Sequence, residues 1–281
     1  MAPPFTIRPM NHDEISFAVD LAAREGWNPG LHDDTPFYRA DPAGFLVGCL
    51  GDNTPIGCIS AVSYGGRFGF IGFYIVVPEQ RGQGYGIRLW NAALEHLAGH
   101  VVGLDGVVAQ QDNYRKSGFH LAYSNIRFEG SGAPDAPLPP SIVPLASLPF
   151  DSVADYDRRH FPTERRTFLA EWLKMPESRA LGWVEDGILR GYGVIRRCRT
   201  GHKIGPLFAD DKDIAEQLYL ALASGADGPV YLDVPEVNPA GMALAEKYAM
   251  NRVFGTARMY IGDAPALPLE RIFGVTSFEL G

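Results

Sequence analysis

Residues 73–90 read Phe73-Tyr-Ile-Val-Val-Pro-Glu-Gln-Arg-Gly-Gln-Gly-Tyr-Gly-Ile-Arg-Leu-Trp90. An apolar run stops at Pro78, and Gly82, Gly84 and Gly86 then lead into a helical pattern. Glycines at such a junction permit positive φ and let the backbone come close to a ligand. The free amides of a helix's first turn point outward and carry about half a positive charge. Together these features hold a phosphate or pyrophosphate, and Arg81 adds a permanent cation. The plainer reading is an ordinary glycine-rich connection. Three alternating glycines behind an arginine, between a strand and a helix, weigh against it.

Other phosphate chemistries fit less well. Asp105 ends the next strand about 20 residues on, where a dinucleotide fold places its ribose-binding acid. The glycine spacing is G-x-G-x-G, however, and the loop follows several strands instead of opening the domain. No Lys-Ser/Thr follows the glycines, as a P-loop needs, and neither G-x-S-x-G nor H-E-x-x-H occurs. The three cysteines, Cys49, Cys58 and Cys198, form no Cys-x-x-Cys and have no histidine at ligand spacing. They suggest reduced thiols in a cytoplasm and no metal site. The net charge of −8 lacks the footprint of a nucleic-acid binder. The longest uncharged apolar stretch, 68–77, is far short of the ~18 residues of a membrane span. The first residues lack the pattern of a secretory signal.

The elements that position the loop alternate along the chain. A strand over 6–10 precedes Asn11, which stands three residues before Glu14 at capping-box spacing. Ile15, Ala18, Val19 and Ala22 then make one apolar helix face, ended by Gly26. Trp27-Asn-Pro-Gly30 is a turn. Strands follow over 45–50, 56–64 and 70–77, the last apolar on both faces and hence flanked within its sheet. A helix over 87–97, a strand over 101–104, a short helix over 113–117 and a strand over 121–128 complete this half.

The segment 130–140, Gly130-Ser-Gly-Ala-Pro-Asp-Ala-Pro-Leu-Pro-Pro140, reads as a linker. Before residue 131 there are 9 basic and 13 acidic residues, and after Gly130 there are 16 and 20, so each half carries −4. Beyond the linker come helices over 151–161 and 164–173, and a hairpin over 180–196 turning at Asp186-Gly187. Strands over 203–208, 230–234 and 256–261 alternate with helices over 213–222 and 240–248. The repeated rhythm suggests a duplicated α/β (mixed α+β) fold, each half a mixed central sheet flanked by helices. The expected division is 1–129, linker 130–140, and 141–281. The run Arg196-Arg-Cys-Arg-Thr-Gly-His-Lys203 reads as a solvated hairpin in preference to an anion site.

Arg81-Gly-Gln-Gly-Tyr-Gly86, preceded by Val77-Pro78, resembles the R/Q-x-x-G-x-G/A loop of the GNAT acetyltransferases. About 30 residues on, Tyr114-Arg-Lys-Ser-Gly-Phe119 resembles their second signature, a tyrosine on a short helix before a Gly-Phe that enters a strand. The resemblance covers roughly residues 5–128. Gly205-Pro-Leu-Phe-Ala209, Leu232-Asp-Val-Pro-Glu-Val-Asn238 and Arg258-Met-Tyr-Ile-Gly262 resemble the degenerate second domain of tandem GNAT proteins. Asp210-Asp-Lys-Asp213 stands there where the working loop has glycines, and Ala245 stands at the tyrosine's position. Three carboxylates suit a helix start but repel pyrophosphate.

The resemblance implies acetyl-CoA as cosubstrate and acyl transfer to a small-molecule amine, or to a peptide N-terminus or side chain. It assigns the cofactor to Ile75, Val76, Val77, Arg81, Gly82, Gln83, Gly84, Tyr85, Gly86, Ile87 and Asn113. It makes Tyr114 the acid that serves the leaving thiolate. An alkylamine must first lose a proton, at about 4 kcal/mol near neutral pH. The strand over 70–77 offers no carboxylate, which leaves Asp33, Asp34 and Asp105 as candidates through water. Tandem relatives that use their C-terminal carboxylate as base point to Gly281. The apolar end, with Ile272, Phe273, Val275, Phe278 and Leu280, is expected to dock on the fold. Acceptor contacts are expected from Trp27, Asn28, Asp33 and Tyr38, with Tyr64 and Tyr74 as additions; aromatics beside an acid suit a cation. No nucleic-acid or membrane partner is expected, and the protein is read as a monomer or homodimer. The competing reading is a non-catalytic acyl-CoA sensor, which Tyr114 argues against.

Overall fold

The computed structural model describes residues 4–133 and 137–281. The first half runs β1 (Phe5–Pro9), α1 (Ile15–Arg24), α2 (Asp34–Ala40), β2 (Phe45–Leu50), β3 (Thr54–Tyr64) and β4 (Phe68–Val76). It continues with α3 (Tyr85–His96), β5 (Val101–Val107), α4 (Gln111–Lys116) and β6 (His120–Ser131). The second half runs β7 (Ile142–Pro144), α5 (Phe150–Asp157), α6 (Arg166–Trp172), β8 (Ser178–Glu185), β9 (Ile188–Arg197) and β10 (His202–Ala209). Then come α7 (Lys212–Ala223), β11 (Pro229–Pro235), α8 (Pro239–Lys247), β12 (Asn251–Ile261) and β13 (Ile272–Gly274).

Local chemistry accounts for several boundaries. The Asn11 side chain accepts from the Glu14 amide and the Glu14 carboxylate accepts from the Asn11 amide, at 3.1 and 2.9 Å. This capping box opens on one 3-10 turn before α1. Asp211 accepts from the amides of Asp213 and Ile214 and caps α7. The short helix α2 has no helical repeat to mark it in the sequence; its buried residues are Pro36 and Phe37.

Among the described residues, thirteen strands form one mixed sheet. Its path is β1-β2-β3-β4-β5-β12-β6-β11-β10-β9-β8-β7, with β13 paired to β10. The halves have exchanged strands. β12, from the second half, pairs antiparallel with β5 and β6, and β6, from the first, pairs antiparallel with β11. The chain therefore does not divide into two separate sheets at residue 130. Gly130 and Ser131, read as the start of a linker, are the end of β6. Residues 134–136 of that segment lie outside the described residues.

One face of the sheet carries α3 on the first half and α7 and α8 on the second, in separate clusters around Leu89, Trp90 and Leu97 and around Leu218, Leu222 and Leu244. The opposite face holds a cluster shared by both halves. It joins Ile15, Phe37 and Phe73 to Trp172, Phe208 and Phe278. Phe37 stacks on Trp172 with ring centroids 5.9 Å apart. Burying each such ring contributes about 2–3 kcal/mol relative to exposure, so the cluster holds the halves together.

Two parallel pairs sit in equivalent places and end differently. β4 pairs with β5 only from Phe68–Val101 to Ile71–Leu104, after which the strands part. β10 pairs with β11 only from His202–Val230 to Ile204–Leu232. In the second gap lies the chain's own tail: β13 pairs with β10, and the Val275 amide donates to the Asp233 carbonyl at 2.9 Å.

Candidate active site

The opening between β4 and β5 is shaped by a bulge. Ser60 faces Gly72 and Cys58 faces Ile75, so Phe73 and Tyr74 together oppose Ile59 alone. Phe73 holds φ at +48°, in the left-handed region. Its ring is fully buried against Phe37 and Phe45, at 5.7 and 6.2 Å between centroids. Packing thus holds a backbone conformation that costs of order 1–3 kcal/mol. It turns β4 away from β5 and frees one backbone edge over 72–76.

The glycine loop closes one end of this opening. Gly82 and Gly84 have φ of +77° and +82°. Gly84 is the N-cap of α3, and no side chain caps the helix, so its first amides are left for a ligand. Gly86 packs beneath Tyr74: a Cβ there would stand 2.8 Å from the phenol oxygen. Arg81 is already engaged. Its Nε donates to the Val76 carbonyl at 2.8 Å and its guanidinium pairs with Glu25, so it fixes the loop to the ends of β4 and α1.

A cavity of about 810 Å³ runs from this loop along the parted strands. Tyr114 lines it from α4. The ring lies 5.6 Å from that of Trp90, whose indole donates to Ser117 Oγ at 3.0 Å and so ties α3 to α4. Gly106 leaves room for the ring, since a Cβ there would collide with it. Burial, with a smaller contribution from Tyr74, pushes the Tyr114 phenol up to about 12 against an opposing backbone hydrogen bond at Val107. Burial also raises the phenol of Tyr74, which lines the same wall.

The far end of the cavity comes from both halves. Trp27 and Arg127 belong to the first; Phe254, Thr256, Phe278 and Glu279 belong to the second. Arg127 donates to both carboxylate oxygens of Asp233, at 2.6 and 2.7 Å, and to the Trp27 carbonyl at 2.8 Å. Glu279 is 3% exposed, and its Oε2 makes no hydrogen bond. The tail carrying it is held on both sides: Arg165 donates to Thr276 Oγ1 at 2.9 Å, and Tyr64 donates to the Leu280 carbonyl at 3.2 Å. Gly72 admits the Glu279 carbonyl against β4, where any Cβ would overlap it.

Of the residues singled out in the sequence, Ile75, Val76, Arg81, Gly82, Gly86, Ile87, Asp105, Asn113, Tyr114, Trp27 and Tyr74 line the cavity. Val77 does not, because its amide donates to the Ile56 carbonyl and its carbonyl accepts from Gln80. Tyr85 packs on Phe5, 4.7 Å between centroids, and Gln83 bonds Gln80. Asn28 exchanges two 2.9 Å bonds with the Thr200 backbone. Asp33 accepts from Arg196 at 2.8 Å and from the Gly30 amide at 2.8 Å. Both residues join the halves and neither lines the cavity, so a place in acceptor contact does not fit them. Tyr38 packs on His12, and buried Tyr64 holds the tail.

The carboxylates considered as bases are occupied. Asp105 accepts from Arg258 at 2.9 and 2.6 Å and from Asn125 at 2.8 Å. Asp34 accepts from the Thr35 amide. Gly281 is buried against Phe70 and Phe161, outside the cavity lining. The run 196–203 is not a solvated hairpin throughout, since Arg196 and Lys203 are buried at 2% and 1% exposure. Sequence reading passed over Arg127, Phe254, Thr256 and Glu279. The last had a signal, as the sole ionisable side chain of 272–281.

Among the described residues no group of three or more His, Cys, Asp or Glu is placed to hold a metal ion, and no helix is long and apolar enough to cross a membrane. All three cysteines are free and buried.

A parallel strand pair that parts before a helix, once open beside a glycine-led start and once filled by the chain's own tail, defines a tandem GNAT architecture. The profile of the acetyltransferase (GNAT) family matches residues 12–121, and that of an acetyltransferase (GNAT) domain matches residues 153–274. The chain belongs to the GNAT acetyltransferase family. The holothin acyltransferase of Pseudoalteromonas sp. (strain SANK 73390) is 32% identical over 282 residues, covering 99% of this chain and 95% of that protein. The N-acetyltransferase YitH of Bacillus subtilis (strain 168) is 28% identical over 229 residues, 80% of each chain. A solved acetyltransferase structure from Pyrococcus horikoshii shares the fold at TM-score 0.83 and 21% identity, covering 99% of this chain and 96% of that one. A tandem GNAT protein from the clavulanic acid biosynthesis pathway does so at TM-score 0.63 and 14% identity, covering 93% and 100%.

Proposed function

We propose that this protein transfers the acetyl group of acetyl-CoA to the amine of a small molecule, using one site in the first half. The observation that carries this reading is the parting of β4 from β5 beyond Ile71–Leu104, directly beside the uncapped start of α3 and facing Tyr114. The site fits the cosubstrate. In this reading the amides of 82–87 hold the pyrophosphate, and the free edge over 72–76 pairs with the pantetheine amides. One amide of that edge stabilises the oxyanion, a contact worth ~3 kcal/mol in comparable sites. The cavity, about 810 Å³, is of a size that encloses small molecules. The relative named for acylating holothin supports acyl transfer; the acceptor of this chain is taken only as a small-molecule amine.

The amine nitrogen attacks the thioester carbon, the C–S bond breaks, and sulfur takes a proton. A phenol near 12 remains neutral throughout the neutral range. Tyr114 therefore always presents a proton to the developing thiolate. Its hydrogen bond stabilises the charge on sulfur, and full transfer runs uphill because a thiol's own pKa is about 8.5. Solvent reprotonates it. The second half supplies the acceptor wall and no second cofactor site, because β13 and Val275 occupy its equivalent opening.

The test combines binding with turnover. Acetyl-CoA should bind at one equivalent per chain by calorimetry. At 100 times its dissociation constant it should stabilise the fold by about 2.7 kcal/mol, and Gly84→Asp should abolish that shift. A panel of amines with free-thiol detection should show turnover. Two equivalents per chain would contradict the filled second opening, an undiminished shift in the variant would contradict the loop assignment, and binding without any turnover would favour a sensor.

A further inference from the structure

We infer that the carboxylate of Glu279 is the catalytic base that takes the proton from the incoming amine. The inference rests on the acyl-transfer reading above and names a residue for its missing step. Glu279 lines the cavity among Trp27, Phe254, Thr256 and Phe278. It is nearly wholly buried, yet Oε2 has no hydrogen-bond partner. Oε2 is itself shielded from solvent; buried carboxylate oxygens are ordinarily paired, and an unpaired one on a residue that lines a cavity is suited to a donor brought by the ligand.

Position supports the same role. The Glu279 carbonyl packs on Gly72, the first residue of β4 past its last pairing with β5. The tail thus crosses β4 where the strands begin to part. Its neighbouring polar groups are engaged: Arg165 binds Thr276, Ser277 Oγ accepts from the Leu280 amide at 3.1 Å, and Tyr64 binds the Leu280 carbonyl. The other carboxylates of the cavity, Glu25 and Asp105, and the nearby Asp33 and Asp233 each bind an arginine.

The charged groups that act on Glu279 are Arg127 on β6, Arg196 on β9 and Lys203 on β10. Arg127 and Arg196 are matched by Asp233 and Asp33. Lys203 Nζ has no hydrogen-bond partner, and burial lowers its pKa. An ammonium acceptor entering beside Glu279 forms an ion pair in a medium of low dielectric. Proton transfer to the carboxylate turns that pair into a neutral acid and a neutral amine.

The step balances. An N–H bond of the ammonium breaks, its electron pair stays on nitrogen, and the proton joins the carboxylate. The nitrogen then attacks the thioester carbon and the C–S bond breaks toward sulfur, which takes the Tyr114 proton. The adduct nitrogen loses its surplus proton as the amide forms, and that proton restores Tyr114 through solvent. Glu279 releases its own proton to solvent, so each turnover of a protonated amine liberates one proton.

The experiment uses the full chain, acetyl-CoA, and two acceptors of similar size: benzylamine, protonated at neutral pH, and aniline, which is not. Glu279→Gln should lower kcat/KM for benzylamine at pH 7 by about 100-fold or more, with recovery as pH rises toward the pKa of the amine. Aniline turnover and the dissociation constant of acetyl-CoA should change less than threefold. Equal loss for both amines at every pH, or no loss, overturns the assignment. If Glu279→Gln loses acetyl-CoA binding, Glu279→Asp decides. A reduced rate with the wild-type pH profile supports the base, and a profile that rises with pH instead overturns it. A wild-type protein that binds acetyl-CoA but acetylates neither amine overturns the amine-acceptor reading, and this assignment with it.

Discussion

Tyr114 shows how burial sets what a side chain can do. Its phenol, pushed up to about 12, is a weaker acid than free tyrosine but stays protonated across the neutral range. The sign follows directly: raising the pH from 7 to 10 leaves Tyr114 protonated, so this group contributes no falling limb to the rate over that range. Tyr114→Phe should retain the ring's packing on Trp90 and remove only the proton. We expect kcat to fall by about 100-fold with the acetyl-CoA dissociation constant unchanged. Steady-state kinetics beside a binding titration check this, and a loss confined to binding would make Tyr114 a packing residue.

At the scale of elements, the tail 272–281 has two tasks. Its first residues fill the opening between β10 and β11, and its last ones line the cavity beside β4. Gly72 is the meeting point. Gly72→Ala places a methyl group on the Glu279 carbonyl, and the tail must move, at about 1–3 kcal/mol by the usual cost of overpacking. The expected result is a lower melting temperature and a large loss of turnover, while acetyl-CoA, held mainly by the loop at 82–87, still binds. Wild-type turnover in Gly72→Ala would show that the tail's seat on β4 is unimportant to the chemistry.

The whole molecule is bound together by the exchange of β6 and β12. Each sits between strands that include partners from the other half, and one hydrophobic cluster spans both. Neither half has a complete sheet alone. Thermal unfolding should therefore be a single transition, with calorimetric and van't Hoff enthalpies equal, and a chain ending at residue 129 should not fold. Two resolved transitions in calorimetry would show that the halves are independent despite the shared sheet.

Short-range patterns were legible in the sequence. The glycine loop, the Tyr114 helix, the Asn11–Glu14 cap and most strands depend on spacings of two to four residues or on local backbone freedom, which composition states directly. The duplicated α/β rhythm was legible for the same reason. The partners of the polar groups were not. By sequence Asp33 reads as an acceptor contact and Asp105 as a base, but Arg196, 163 positions away, binds Asp33 and Arg258 binds Asp105. Gly281 stands two residues from Glu279, which lines the cavity. Only the tertiary structure decided these, because a buried charge takes its partner from whichever strand lies adjacent. That adjacency follows from satisfying the edges of β5, β6 and β12 across the whole sheet, a condition that no local stretch of sequence contains.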